Sequence, residues 1–347
     1  MADIDLFTPE VSKIIKGIEG KSVLLYGPNK CGKTYNAVKA PKPLVLAFEK
    51  GLSAIDGVPY LEIRTWSDFR KIVKQLSDRK NFDKLHEKYE TIIVDAIDGI
   101  EKLSDHYVCG LLGINTLREY NGGYGAWKEW EKEIDDQLHA LCCSGFTIIF
   151  LGHEGSRKFT TESGQEYEMV YPRGDKRVVN PILNYVDITG YIRLADATDT
   201  GAQPLSTLYL LGNRSFFAGG RFMNITPVIP EWNYDKFEKA LVAAIEKIEK
   251  DAAGSAISIK EAMAIEDAKK KEEDKSKLPI DTLKARIGAM VKQSTVATGN
   301  RDEYISILSQ DVGDPNFKCN SAGENQRMQL EIVYASLLAK GYTYSAE

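Results

Sequence analysis

Ser22-Val23-Leu24-Leu25-Tyr26-Gly27-Pro28-Asn29-Lys30-Cys31-Gly32-Lys33-Thr34-Tyr35 is the stretch on which the fold turns. A short apolar run leads straight into Gly-x-x-x-x-Gly-Lys-Thr, and a helical pattern follows as far as the breaker Pro41-Lys42-Pro43. Strand, glycine loop and helix are the context in which this motif cradles phosphates. Glycines let successive backbone N–H groups turn inward around an anion. Lys33 is placed to bridge the β- and γ-phosphates and Thr34 to put its hydroxyl on Mg²⁺. Gly27 through Thr34, with Tyr35 next to them, are therefore the candidate nucleotide-binding residues, and ATP and Mg²⁺ the expected cofactors.

Outward from this loop, further apolar runs rich in β-branched residues recur: Leu44–Phe48, Thr91–Val94, Thr147–Leu151, Ile188–Ile192 and Leu208–Leu211. Near-continuous apolar strands separated by helical patterns predict a mostly parallel sheet covered on both faces, the α/β class. No helical pattern separates the last two runs, so an antiparallel edge is expected there. Residues 231–250 keep helical apolar spacing, and 266–277 form a charged stretch that is a solvated helix or a linker. Short amphipathic patterns then return, with Gly341 as a C-cap. The expected organisation is an N-terminal segment 1–16, a core over 17–250, a charged linker or solvated helix over 251–278, and a small helical region over 279–347.

Composition agrees with a globular chain: of 347 residues, 43% are hydrophobic and 27% charged. Five cysteines, with no Cys-x-x-Cys pair, predict free thiols, and adjacent Cys142 and Cys143 are expected to be buried. Neither a signal-peptide core in MADIDLFTPEVSK nor a membrane-length apolar run is visible, so a reducing cytoplasm is the expected location.

Nucleotide hydrolysis needs carboxylates. Asp95 closes the run Thr91-Ile92-Ile93-Val94 and is the candidate for the Mg²⁺ shell; Asp98, beyond the strand end, is a poorer one. Ala96 follows Asp95, so no carboxylate stands directly after it to activate water. Glu49, ending Ala47-Phe48-Glu49, is the alternative base.

GPNKCGKT, LVLAFEKG, TIIVDAIDG and TIIFLGHEGS, in that order, resemble the RecA-like ATPase core over residues 17–232. In particular they resemble the phage-encoded RecA-like recombinases and nucleotide-binding proteins of phage recombination modules. The resemblance implies a RecA-like P-loop fold in which Glu49 polarises the attacking water and His153 senses the γ-phosphate. His153 stands where the bacterial recombinase has glutamine. The resemblance also implies nucleic-acid loops after the metal strand and after the sensor strand. The first corresponds to residues 104–128, with Arg118, Tyr124 and Trp127 among glycines; this suits a base-stacking platform and an aromatic-packed hinge equally. The second, from Gly155 to about Asn180, carries Arg157, Lys158, Arg173, Lys176 and Arg177, and also reads as a plain hairpin around Ser163-Gly164. Arg221, or else Arg214, is the implied cation supplied to a neighbouring subunit, which requires a ring or filament of identical chains.

A net charge of -5 excludes duplex coating by bulk charge and confines any DNA contact to local patches. The expected function is an ATPase acting on single-stranded DNA in phage recombination, by annealing or strand exchange, within the host cytoplasm if phage-encoded. An auxiliary single-stranded-DNA-binding protein is the partner that the acidic surface favours. The alternative is a nucleotide-gated scaffold or loader that grips a protein through residues 279–347, with slow turnover and indirect DNA contact. A small-molecule kinase is a weaker third reading, since Arg173 to Arg177 is the only lid-like basic stretch.

Overall fold

The computed structural model describes residues 12–194, 205–252, 256–298 and 301–342. The expected N-terminal segment lies outside them up to residue 11, as do residues 253–255 of the expected linker. The chain divides into two compact units, Ser12–Met263 and one containing Ala264–Glu347.

The first unit alternates strands and helices: β1 (Ser22–Gly27), α1 (Lys33–Ala37), β2 (Pro43–Ala47), β3 (Tyr60–Glu62), α2 (Trp66–Ser77), α3 (Arg79–His86), β4 (Thr91–Asp95) and α4 (Asp98–Leu112). There follow α5 (Trp127–Cys142), β5 (Thr147–Thr160), β6 (Glu166–Pro172), α6 (Lys176–Tyr185), β7 (Ile188–Leu194), β8 (Ser206–Tyr209), β9 (Gly219–Gly220), β10 (Val228–Ile229) and α7 (Tyr234–Ala252). The sheet runs in the order β10-β8-β7-β1-β5-β4-β2-β3. From β3 to β7 every pairing is parallel. The pairings β7–β8, β8–β10 and β7–β9 are antiparallel, the edge expected from the missing helix. One strand, β5, thus separates the loop-bearing β1 from β4.

The pleat explains the near-continuous apolar runs. Leu24, Leu46, Ile92, Val94, Ile148 and Phe150 enter one core with Trp66, Phe69, Ile100, Trp130, Ile134 and Ile182 of the helices. Their alternate neighbours Val23, Leu25, Val45, Ile93, Ile149 and Leu151 enter the other, against Ala37, Phe237, Leu241 and Ile245. Both faces are covered, so both phases of the strand must be apolar. The fold is a mostly parallel α/β sheet covered by helices on both faces, with one antiparallel edge, as expected.

Local chemistry sets several boundaries. The Thr65 side chain accepts from Asp68 N–H at the start of α2, and Asp175 does the same for Arg177 N–H at α6. Helix α4 stops at Gly113 in the left-handed region, φ 66°.

Several expectations are corrected. Residues 98–112 are helix, so the irregular stretch begins at Gly113 rather than 104. It packs through buried Leu117 and Ala126. Strand β5 does not end at its polar residues but runs for 14 residues; it pairs antiparallel with β6, giving the hairpin that the sequence offered around Ser163-Gly164, with Gly164 at φ 81°. Cys142 is half-buried and Cys143 exposed, because α5 ends at Cys142 and turns its successor outward; Cys31, Cys109 and Cys319 are buried free thiols.

Helix α8 (Ile259–Ser276) spans the charged stretch. The second unit contains α9 (Ile280–Thr298), α10 (Arg301–Ile307) and α11 (Arg327–Ala339). Its own core includes Leu283, Ile287, Met290, Leu308, Phe317, Leu330, Val333 and Leu337. No helix among the described residues is long and apolar enough to cross a membrane.

Candidate nucleotide site

Parallel register brings the sequence candidates to one end of the sheet. Gly27 lies opposite His153, Ala47 opposite Asp95, and Asp95 opposite Leu151. The carboxyl ends of β1, β2 and β4 and the middle of β5 therefore meet, which is where open α/β sheets carry their ligand crevices.

The loop itself is sterically specified. A Cβ on Gly27 would sit 2.3 Å from the Ile192 carbonyl oxygen, so a side chain there forces the backbone to move, and Gly32 has φ 83°, where any other residue is strained. Lys33, the first residue of α1, is buried, and its ammonium donates to the carbonyls of Pro28 (2.7 Å) and Gly27 (3.1 Å). The loop thus folds over its own lysine and holds that charge inside the curve.

Thr34 Oγ1 donates to Asp95 Oδ2 at 2.8 Å, joining the start of α1 to the end of β4. Burial pushes the Asp95 carboxyl up, against the Thr34 hydrogen bond and the charge of Lys33. Gly51 supports this pair, since a Cβ there would be 3.3 Å from Asp95 Oδ2. Among the described residues no group of three or more His, Cys, Asp or Glu could hold a metal by itself. A hydroxyl beside one carboxylate is instead the sparse oxygen set suited to Mg²⁺ that keeps waters and phosphate oxygens as its other ligands.

Glu49 lies just beyond β2, with its side chain 46% exposed and Oε1 3.8 Å from His153 Nε2. Partial burial raises its pKa; His153 opposes that shift, and the nearby carboxylates Asp95 and Asp98 reinforce it. On the other side of the imidazole, Nδ1 is 2.9 Å from Asp98 Oδ2, which also accepts the His153 main-chain N–H. An ionised carboxylate can only accept, so the Nδ1 proton faces Asp98 and Nε2 faces Glu49. Arg173 Nε donates to the second Asp98 oxygen at 2.5 Å. Burial works against charge on Asp98, yet the hydrogen bonds from Arg173 and His153 hold its carboxyl below the ordinary aspartate range. Gly27, Pro28, Asn29, His153, Glu154 and Arg173 line a cleft of about 200 Å³ beside the loop.

Not every candidate gathers here. Tyr35 points outward, 59% exposed beneath the Lys39 ammonium. Arg221 pairs with Asp187 at 3.2 Å and donates to Asn184 O; Asp187 also accepts from the Ser22 N–H, at the opposite end of β1 from the glycine loop. Arg214 is exposed in the turn from Asn213 to Phe216. Arg118 and Tyr124 are exposed in the stretch after α4. Arg177 is turned inward, paired with Asp175 and stacked 4.7 Å from the Trp127 ring, so the structure makes it a packing residue. Lys176 is exposed at the start of α6, and Lys158 is exposed opposite Glu168.

The hairpin carries an ordered ring array. Arg157, Phe159, Tyr167 and Tyr171 share a face by register. Phe159 stacks on Tyr167 at 5.7 Å, Tyr171 packs on Phe217 at 5.0 Å, and the Arg157 guanidinium lies 4.2 Å over Tyr171. Asp98, in sequence only a poorer candidate for the metal, is the common partner of His153 and Arg173. Its signal was the spacing Asp95-x-x-Asp98, which puts a second carboxylate in the first turn of the next helix.

A model of the AAA domain family matches residues 19–222, so the chain belongs to that family and is a P-loop ATPase. The SPbeta prophage-derived uncharacterized protein YorG of Bacillus subtilis (strain 168) is 39% identical over 246 residues, 71% of this chain and 73% of that one. The RadB recombinase crystal structure is 12% identical, with a TM-score of 0.33 over 56% of this chain and 81% of that one.

Proposed function

We propose that the protein is a Mg²⁺-dependent ATPase that acts on single-stranded DNA in phage recombination, as an oligomer in the host cytoplasm. One observation carries the reading: Lys33, the Thr34–Asp95 pair, Glu49 and His153 converge at one end of the sheet although four separate strands deliver them. Lys33 neutralises charge on the transferred phosphoryl group. Thr34 and Asp95 would hold Mg²⁺, and the ion would supply charge screening for the phosphate oxygens. Glu49 accepts the proton of the attacking water, with a basicity raised by its partial burial. His153, its tautomer set by Asp98, joins that carboxylate to the hairpin.

The DNA part of the reading is supported by half-buried Arg157, Phe159 and Tyr167 on one face of the hairpin, over buried Tyr171, because bases stack on aromatic and guanidinium planes whatever their sequence. Similarity to a prophage-derived protein supports a phage origin. Arg214 or Arg221 would reach a neighbouring copy, since Arg221 does not lie at its own glycine loop. ATP turnover measured with and without single-stranded DNA tests the whole: stimulation is expected. Unchanged turnover together with no gel-shift binding would remove DNA from the function.

A second reading, a nucleotide-gated loader for a protein partner, is favoured by a hollow of about 520 Å³ in the C-terminal unit, lined by Ile287, Val291, Tyr304 and Phe317. Under it, truncation of that unit abolishes partner capture and leaves turnover insensitive to DNA.

A further inference from the structure

Arg173 is the first residue after β6, and its main-chain N–H donates to the His153 carbonyl at 2.9 Å. His153 and Arg173 are thus the two feet of the β5–β6 hairpin, tied to each other through the backbone. Their side chains converge on the two oxygens of Asp98. Asp98 sits in the first turn of α4, three residues past the buried Asp95. Only Nε of the guanidinium meets Asp98; among the described residues its terminal nitrogens make no ion pair or hydrogen bond. The Arg173 side chain is 54% exposed and borders the cleft walled by Gly27, Pro28 and Asn29 of the glycine loop. A planar guanidinium with free terminal donors, beside a loop built for phosphates, matches the paired oxygens of a phosphoryl group.

We propose that Arg173 reads the terminal phosphate of a nucleoside triphosphate bound in its own chain, and that exchange of Asp98 for that phosphate moves the foot of the hairpin. This rests on the ATPase reading above. A ligand shifts a two-state element only through its differential affinity for the two states. The terminal phosphate is the group that distinguishes triphosphate from diphosphate, so Arg173 stays on Asp98 with ADP and leaves it with ATP. The hairpin carries the Arg157–Tyr171 ring face, so the same exchange makes that face sensitive to nucleotide.

The test uses the full chain, a non-hydrolysable ATP analogue and ADP, with calorimetry for affinity and hydrogen–deuterium exchange over residues 153–173. In the wild type the analogue is expected to bind more tightly than ADP and to alter exchange in the hairpin, whereas ADP does not. Arg173→Ala should weaken the analogue by about tenfold, the scale of a lost charge-assisted hydrogen bond, and leave ADP within about twofold. The exchange response should vanish with it. Arg173→Lys, which keeps the charge, should recover part of the analogue affinity; it also serves if the alanine variant melts early. Equal weakening of both nucleotides, or an unaltered exchange response in Arg173→Ala, overturns the proposal while leaving the ATPase reading standing. A wild-type chain that binds neither nucleotide overturns both.

Discussion

Charge on a few side chains sets the chemistry, and each makes a separate prediction. Lys33 is the one ammonium buried within the glycine loop, so Lys33→Ala should abolish nucleotide binding or turnover, measured by calorimetry and phosphate release. Glu49 touches neither Thr34 nor the loop lysine by hydrogen bond, so Glu49→Gln should retain bound ATP and lose hydrolysis. Normal turnover in that variant would take Glu49 out of the mechanism. Asp98 gives a pH dependence. Its folded pKa is lowered, so the stability it contributes is present above the unfolded aspartate value of about 3.9 and is lost as pH falls through the lowered value. Asp98→Asn should therefore cost about 1–3 kcal/mol at pH 7, with the gap closing at pH below about 4, read by urea unfolding across a pH series.

At the level of elements, the hairpin is held to the sheet by a phenol as well as by its feet. Tyr26, buried at the end of β1, donates to the Phe217 carbonyl at 2.5 Å and lies 3.2 Å from the Val170 carbonyl. Val170 also pairs through its backbone with the 215–217 segment. Burial and neighbouring phenols push the Tyr26 hydroxyl pKa far up, so it stays a neutral donor. Tyr26→Phe leaves those carbonyls without this donor and should cost about 1–3 kcal/mol in urea unfolding. If the variant unfolds like the wild type, the phenol is not what anchors the hairpin.

For the molecule as a whole, the two units have separate hydrophobic cores. Leu330 is fully buried in the C-terminal core. Leu330→Ala should destabilise that unit by about 2–5 kcal/mol, shifting one calorimetric transition while the nucleotide-stabilised transition stays in place. A single transition moving as one would show that the cores unfold together.

The glycine loop and the strands were legible from the sequence because each rests on local order, and Thr34, Glu49 and Asp95 stand out as candidates for the same reason, whereas His153 is a candidate only through the resemblance of TIIFLGHEGS. A motif spans eight neighbouring residues, and an apolar run or a strand-end carboxylate is visible within a few more. What was not legible depends on residues far apart in the chain. Arg173 reads as a basic loop residue until the hairpin register brings it to Asp98, 75 positions away. Arg177 reads as a free cation until α6 turns it onto Trp127. Arg221 reads as a cation for a neighbouring subunit, but its own partner, Asp187, is fixed only by the pairing of β9 with the start of β7, at the other end of the sheet from the glycine loop. The sequence by itself determined that this protein has a phosphate loop on a doubly covered parallel sheet. The tertiary structure decided which charges share that loop's end of the sheet, because strand order and register, not chain proximity, choose the partners of a side chain.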